Sequence, residues 1–226
     1  MNFKIFHVAA LAFLACGCTE AIEKQNVDFT ITDGWKIQSS EVIKKTGDVL
    51  SSEKPCCEIA WYDASVPSTV IGTLTEHGMY ADAFIGTNYD KAINRDDFKT
   101  SWWYVNEFAM PALNDGQRII LDFEGISYSA EVWLNGQKVA AREEMKGPFR
   151  IFRYDVTDLV AENNILAVEV FRAEDGDFNI GFVDWNPRPA DESMGIFRPV
   201  WVRYSDAVAM SNTVVKSKVN TKTLVK

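Results

Sequence analysis

Ala130, Val132 and Leu134 alternate with Glu131 and Trp133 up to Asn135-Gly136, and a second short run, Gln137 to Ala140, follows at once. Asn-Gly between alternating runs is the strongest short-range signal of a β-hairpin, because both residues tolerate the positive φ of a type I′ turn. The same period of two recurs from Trp35 onward. Ile119, Leu121 and Phe123 alternate with Ile120, Asp122 and Glu124 after a turn at Gly116, the pattern of a strand with one buried face. Further strands are expected at Trp102 to Phe108, Phe149 to Tyr154, Ile165 to Phe171 and Pro199 to Tyr204, separated by turns rich in Gly, Asn, Asp and Pro. No long helical pattern competes; the nearest is Val156 to Val160, read as one helical turn. Many short strands at this spacing predict an all-β sandwich or jelly roll and not alternating βαβ units.

The 226 residues leave room for one all-β domain of generous size with a leader and a tail. Hydrophobic residues at 47% and aromatics at 12% can feed one core, and 24% charged residues are ordinary for a folded domain. The net charge of -9 repels phosphate backbones and anionic membrane surfaces, which argues against nucleic acid as a partner.

Met1-Asn2-Phe3-Lys4 precedes an apolar run from Ile5 to Leu14 and then Ala15-Cys16-Gly17-Cys18. The run is short for a bilayer span and is followed by polar chain. It resembles a bacterial lipoprotein signal over residues 1–18. The resemblance implies export to the periplasm or cell surface and lipid attachment at Cys18, with Cys16 as the alternative site and an ordinary cleaved secretion signal as the competing reading. Residues 19–33 then read as a tether. Cys56 and Cys57 are neighbours and close no sizeable loop. His77 is the only histidine outside the leader and no Cys-x-x-Cys pair exists, so neither a metal site nor a Ser/His or Cys/His nucleophile is expected, and no cofactor.

Over Trp35 to Tyr204 a set of short motifs stands in fixed order: Val66-Pro67-Ser68-Thr69-Val70, Asp82 to Asn88, Ser101-Trp102-Trp103-Tyr104 with Phe108, Phe123-Glu124-Gly125-Ile126, Ala130 to Gly136, Asp155-Val156-Thr157, and Gly195-Ile196-Phe197-Arg198-Pro199-Val200. The order resembles the N-terminal sugar-binding domain of family 2 glycoside hydrolases, nearest the β-mannosidase and exo-β-glucosaminidase branch. The resemblance implies a galactose-binding-like jelly-roll β-sandwich over 34–206, followed from 207–226 by the start of an immunoglobulin-like domain whose first strand is expected at Thr213 to Val219. In the family a (β/α)₈ barrel carries the catalytic acid/base and nucleophile, two carboxylates about 5 Å apart across the scissile bond. The resemblance places those beyond Lys226, so this chain by itself is not expected to cleave glycosides. Its implied partners are a β-linked oligosaccharide or glycan, the downstream immunoglobulin-like and barrel domains, and a membrane only through the lipid.

The segment Asp184 to Met194 carries the sharpest functional reading. Prolines on both sides of Arg188 stiffen the loop, Trp185 offers a flat face to the C–H side of a pyranose, and Asp184 can accept from vicinal hydroxyls. In the family a loop at this place helps recognise the terminal sugar, which implies substrate-binding roles for Asp184 and Trp185; the alternative is a buried corner with Trp185 in the core. Asn88 resembles another loop residue near substrate, against a plain turn-stabilising role. Trp102, Trp103 and Trp133 read as packing residues rather than a glycan platform, and Arg198 as a partner for a carboxylate inside the sandwich or against the barrel, rather than for sugar. Two other functions stay open: a stand-alone glycan-binding surface lipoprotein without catalysis, and a sandwich that only buttresses a barrel.

Overall fold

The Asn135-Gly136 turn takes the backbone its sequence demands, with φ of 51° and 82°, and Leu134 pairs with Gln137 across it. Asn135 also ties the hairpin down: its side-chain carbonyl accepts from the Ile165 N–H at 2.9 Å while its amide donates to the Leu159 carbonyl at 2.8 Å.

A computed structural model describes residues 26–55, 59–80, 82–91, 93–179, 185, 188–206, 208–210 and 213–218. The strands are β1 (Phe29–Thr30), β2 (Trp35–Ser39), β3 (Tyr62–Ala64), β4 (Trp102–Ala109), β5 (Arg118–Phe123), β6 (Ser129–Leu134), β7 (Gln137–Ala140), β8 (Phe152–Asp155), β9 (Asn163–Phe171) and β10 (Val200–Ser205). Among the described residues they build two sheets with antiparallel pairing, in the orders β1-β10-β5-β8 and β3-β2-β4-β9-β6-β7. This is the all-β sandwich that the alternation predicts.

Ile119, Leu121 and Phe123 of β5 meet Ala130, Val132 and Leu134 of β6, with Trp35, Ile37 and Tyr104, in one core. Burying an aliphatic side chain of this size contributes about 1.5–3 kcal/mol before entropy is counted. Strand β4 is apolar on both faces for a reason: Trp102 and Tyr104 enter that core, while Trp103 and Val105 join Trp133, Ile43 and Leu50 in a second cluster. Trp103 and Trp133 lie 5.5 Å apart, and α1 (Gly47–Leu50) covers them. A Cβ on Gly47 would come within 2.2 Å of Trp133, so only glycine lets the helical turn lie on the indole. All three tryptophans therefore pack, as the strand spacing predicts.

Several boundaries differ from the sequence expectation. Helix α2 (Val70–Glu76) is unanticipated; Thr69 caps it by accepting from the Gly72 N–H at 3.1 Å, and Val70, Ile71 and Leu74 bury its inner face. Seven residues are too few for a helix to declare itself by periodicity, and packing stabilises it instead. The strand expected from Phe149 begins only at Phe152, because Gly147, at φ +107°, turns the chain and Arg150 N–H donates back to its carbonyl. Residues 156–160 do form one turn, closed by Val160 N–H on the Val156 carbonyl at 3.1 Å. Residues 213–218, expected in a strand, pair with nothing among the described residues, and Val214 and Val215 are exposed.

Candidate functional site

Two loops meet at one edge of the sandwich. The first follows α2. Ala83 N–H donates to the Tyr80 carbonyl and Ile85 N–H to that of Asp82, and the Asn88 side-chain amide closes the loop on the Asp82 carbonyl at 3.1 Å. Asn88 thus acts as a turn residue and starts α3 (Asn88–Lys91). A 3₁₀ turn at Arg95–Phe98 comes next, capped by Asn94 accepting from Asp96 N–H and pinned by the wholly buried Phe98.

The second loop runs from Arg188 to Gly195. Arg188 reaches Glu192 at 2.7 Å, Glu192 and Ser193 take positive φ of 53° and 57°, and Met194 N–H closes on the Asp191 carbonyl. Backbone bonds then clamp it to Val66 to Val70: Ser68 N–H donates to the Ile196 carbonyl at 2.9 Å and Val70 N–H to that of Met194 at 2.8 Å. Asp191 completes the clamp from inside. Its carboxylate accepts from Ile71 N–H at 3.1 Å, within the first turn of α2, and from Ser193 N–H at 2.9 Å. Burial pushes this carboxyl up to about 6, outweighing the two N–H donors, and burial likewise raises the neighbouring Tyr104 hydroxyl.

The loops are latched to each other. Tyr89 OH accepts from Ala190 N–H at 3.2 Å and Arg95 donates to the Arg188 carbonyl at 2.9 Å. Phe84 stacks on Tyr89 at 5.9 Å and is mostly exposed, and two further aromatic rings of the preceding chain face solvent, Trp185 at 85% and Phe178 at 90% exposure. Trp185 is thus not a core residue. Asp184 lies outside the described residues, as do Cys18, Cys56 and Cys57. Of the two places expected for Arg198, a carboxylate inside the sandwich is not where it lies. It is exposed, its guanidinium lies 6.0 Å from the Phe197 ring, and no carboxylate among the described residues pairs with it. Asp122 and Glu124 pair instead with Arg153 and Arg203. The roles of Asp191, Tyr89 and Arg95 are not evident from the sequence; only the polar run around Asp191, between a proline and a glycine, hints at a bound turn.

The glycosyl hydrolase 2 galactose-binding domain-like model matches residues 35–177. The chain belongs to this family. An exo-β-D-glucosaminidase of Amycolatopsis orientalis is 32% identical over 94% of this chain and 22% of its own length. A mannosylglycoprotein endo-β-mannosidase of Lilium longiflorum is 33% identical over 62% of this chain and 15% of its own. The solved exo-chitosanase of Amycolatopsis orientalis superposes with a TM-score of 0.76 at 34% identity, covering 85% of this chain and 22% of that one. The chain therefore spans about a fifth of the length of the glucosaminidase it matches. Within this family 2 domain, the motif at Val66 to Val70 is hydrogen-bonded to Met194 and to Ile196 of the motif at Gly195 to Val200, so the two distant motifs meet in one clamp.

Proposed function

We propose that this chain serves as the ancillary sandwich of an exo-acting glycoside hydrolase directed at β-glucosaminides or β-mannosides, and that the edge built from residues 82–98 and 178–194 forms part of its sugar-recognition wall. One observation carries the reading: Trp185, three residues before the latched Arg188, turns an 85% exposed aromatic ring to solvent while Arg188 and Ala190 are bonded to Arg95 and Tyr89 of the other loop. An exposed aromatic face suits the C–H side of a pyranose, and Asp184, next to it in sequence, supplies a carboxylate for hydroxyls. Similarity over 94% of the chain to an exo-β-D-glucosaminidase, against 62% to an endo-β-mannosidase, favours glucosaminide over mannoside. Bond cleavage itself would need two further carboxylates outside this edge. The basic, apolar and small-residue order of residues 1–18 supports export and lipid attachment at Cys18 in a bacterium.

The test is to assay the product of the complete reading frame against aryl β-D-glucosaminide and aryl β-D-mannoside, beside the 226-residue chain. Activity on one of the two by the whole product, and none by the chain, supports the reading. Turnover by the chain that is lost on mutating one of its own carboxylates overturns it.

A further inference from the structure

Next to the loop that ends at Gly195, aromatic rings and cations without counter-charges stand together on the surface. Two segments build this patch, and both are pinned to one stretch of backbone: Gly147 N–H donates to the Tyr128 carbonyl at 3.0 Å, and Gly195 and Ser127 exchange both backbone bonds, at 2.9 and 3.0 Å. The first segment carries Phe149, 63% exposed, and Ile151, also exposed. The second carries the half-buried Phe197, whose ring meets that of Phe149 edge-on at 6.0 Å. Lys146, Arg150 and Arg198 surround the rings, all exposed. Arg198 lays its stem on Gly125 and its guanidinium beside Phe197, while Arg150 lies over Phe152 at 4.8 Å and donates to the Lys146 carbonyl. Among the described residues no carboxylate forms an ion pair with any of the three. Glu144, the acid nearest to Lys146 in the chain, turns back to accept from Ala141 N–H at 3.2 Å, and Glu124 is held by Arg203 at 3.1 Å.

Three uncompensated cations around exposed rings stand out on a chain whose net charge is -9. Single exposed apolar side chains need no partner, but Phe and Arg clustered in this way have the composition of an interface core. The partner they fit is apolar at its centre and acidic at its rim. Chemistry says where such a partner sits. The two carboxylates that cleave a glycosidic bond lie about 5 Å apart across it, so a body bearing them must abut the edge that holds the sugar. Phe197 and Arg198 follow directly on that edge. We propose that the patch at 146–151, with Phe197 and Arg198, is the docking surface for the catalytic body of the same enzyme, which covers the Phe149 and Phe197 rings with apolar side chains and pairs Arg198 with a carboxylate. The assignment rests on the reading of the chain as the ancillary sandwich of a glycoside hydrolase and adds the surface that joins the two.

Hydroxyl-radical footprinting read by mass spectrometry tests this by comparing the product of the complete reading frame with the 226-residue chain. Oxidation of Phe149 and Phe197 should fall roughly 5-fold or more in the complete product, the change from a free ring to one in an interface core. Val42, exposed on the loop after β2, should not change. Arg198→Glu and Lys146→Glu, each made in the complete product, should restore the oxidation of Phe149, whereas Arg198→Lys should keep most of the protection. Neither charge reversal should alter the melting temperature of the 226-residue chain, since neither head group forms an ion pair within the sandwich. Equal oxidation of Phe149 in the two proteins overturns the proposal; if the complete product still cleaves an aryl β-glycoside, the glycosidase reading stands without it. Protection in a complete product that cleaves neither aryl glycoside supports the docking surface and removes the glycosidase reading. Protection of Phe149 in the 226-residue chain by itself, on raising its concentration or on adding phosphatidylglycerol vesicles, assigns the patch to a second copy or to a membrane and overturns the proposal.

Discussion

Gly195 and Thr69 touch backbone to backbone: at φ +151°, a Cβ on Gly195 would stand 2.7 Å from Thr69 Cα and 2.6 Å from the Ser68 carbonyl oxygen. Neither neighbour is a flexible side-chain end, so neither can yield cheaply. Gly195→Ala should therefore cost about 3 kcal/mol or more, combining overpacking with backbone strain, and lower the melting temperature by roughly 10 °C. Gly116→Ala is the control. It shares the positive φ, at +77°, but nothing lies within 4 Å, and it should cost only about 1 kcal/mol. Equal losses for the two variants would show that the close contact with Thr69 contributes nothing.

Asp191 should make stability depend on pH. Its ordinary value of 3.8 applies to the unfolded chain and the folded value is about 6, so the folded state binds the proton more tightly. The stabilisation is present in full below the unfolded value and is lost as pH rises through the folded one. Against Asp191→Asn, which does not titrate, the native chain should gain on the order of 2–3 kcal/mol between about pH 7 and pH 4. Paired urea denaturation across that range measures the difference; a flat difference would mean that the buried carboxyl does not titrate there.

Asp122 is wholly buried and holds Arg203 Nε at 2.7 Å and Arg153 Nε at 3.1 Å, with Arg203 also reaching Glu124 at 3.1 Å. Asp122→Ala leaves the Arg203 guanidinium only Glu124 and Asp28, at 3.1 and 3.5 Å, and strands that of Arg153. Both are 31% and 41% exposed, respectively, so water relieves part of the penalty, and the expected loss is about 2 kcal/mol rather than that of a fully dry pair. Arg153→Ala leaves Arg203 in place and should cost under about 1 kcal/mol. Chemical denaturation midpoints should rank the two variants in that order.

In the complete enzyme, Asp184→Ala should lower kcat/KM by roughly 10²-fold, the scale of one lost charged hydrogen bond. Trp185→Ala should lower it by roughly 10-fold, the scale of one lost aromatic contact, without changing the domain's melting temperature, because the ring is exposed. A destabilised sandwich with unchanged kcat/KM in both variants would remove this loop from the sugar contacts.

Mass spectrometry of the mature protein should find a lipid-modified N-terminus at Cys18, and Cys18→Ala should release the protein from membranes. An unmodified N-terminus, or a Cys18→Ala protein that still partitions with membranes, would count against the anchor.

The sandwich could be read from the sequence because strand alternation and Asn-Gly turns are local: the side-chain period of two and the positive φ at Asn135 and Gly136 depend on neighbours a few residues away. The packing roles of Trp102, Trp103 and Trp133 followed from the same period. The short helices could not be read that way, since α2 owes its place to the burial of Val70, Ile71 and Leu74 in the common core and to bonds from Val70 and Ile71 to Met194 and Asp191. Nor could the site frame. Asp191 meets Ile71 across 120 positions and Tyr89 meets Ala190 across 101, and no pattern within either segment encodes such a meeting. Asn88 left two readings open in the sequence, a substrate-loop residue and a turn residue, and the bond of its side chain to the Asp82 carbonyl six residues back is the turn contact. Sequence by itself determined which faces of the strands are apolar, and hence the two-sheet core. Tertiary structure alone decided which polar groups are buried, which loops are latched and which aromatic ring is left facing water, because burial and latching are relations between distant segments that exist only once the sheets have closed on each other.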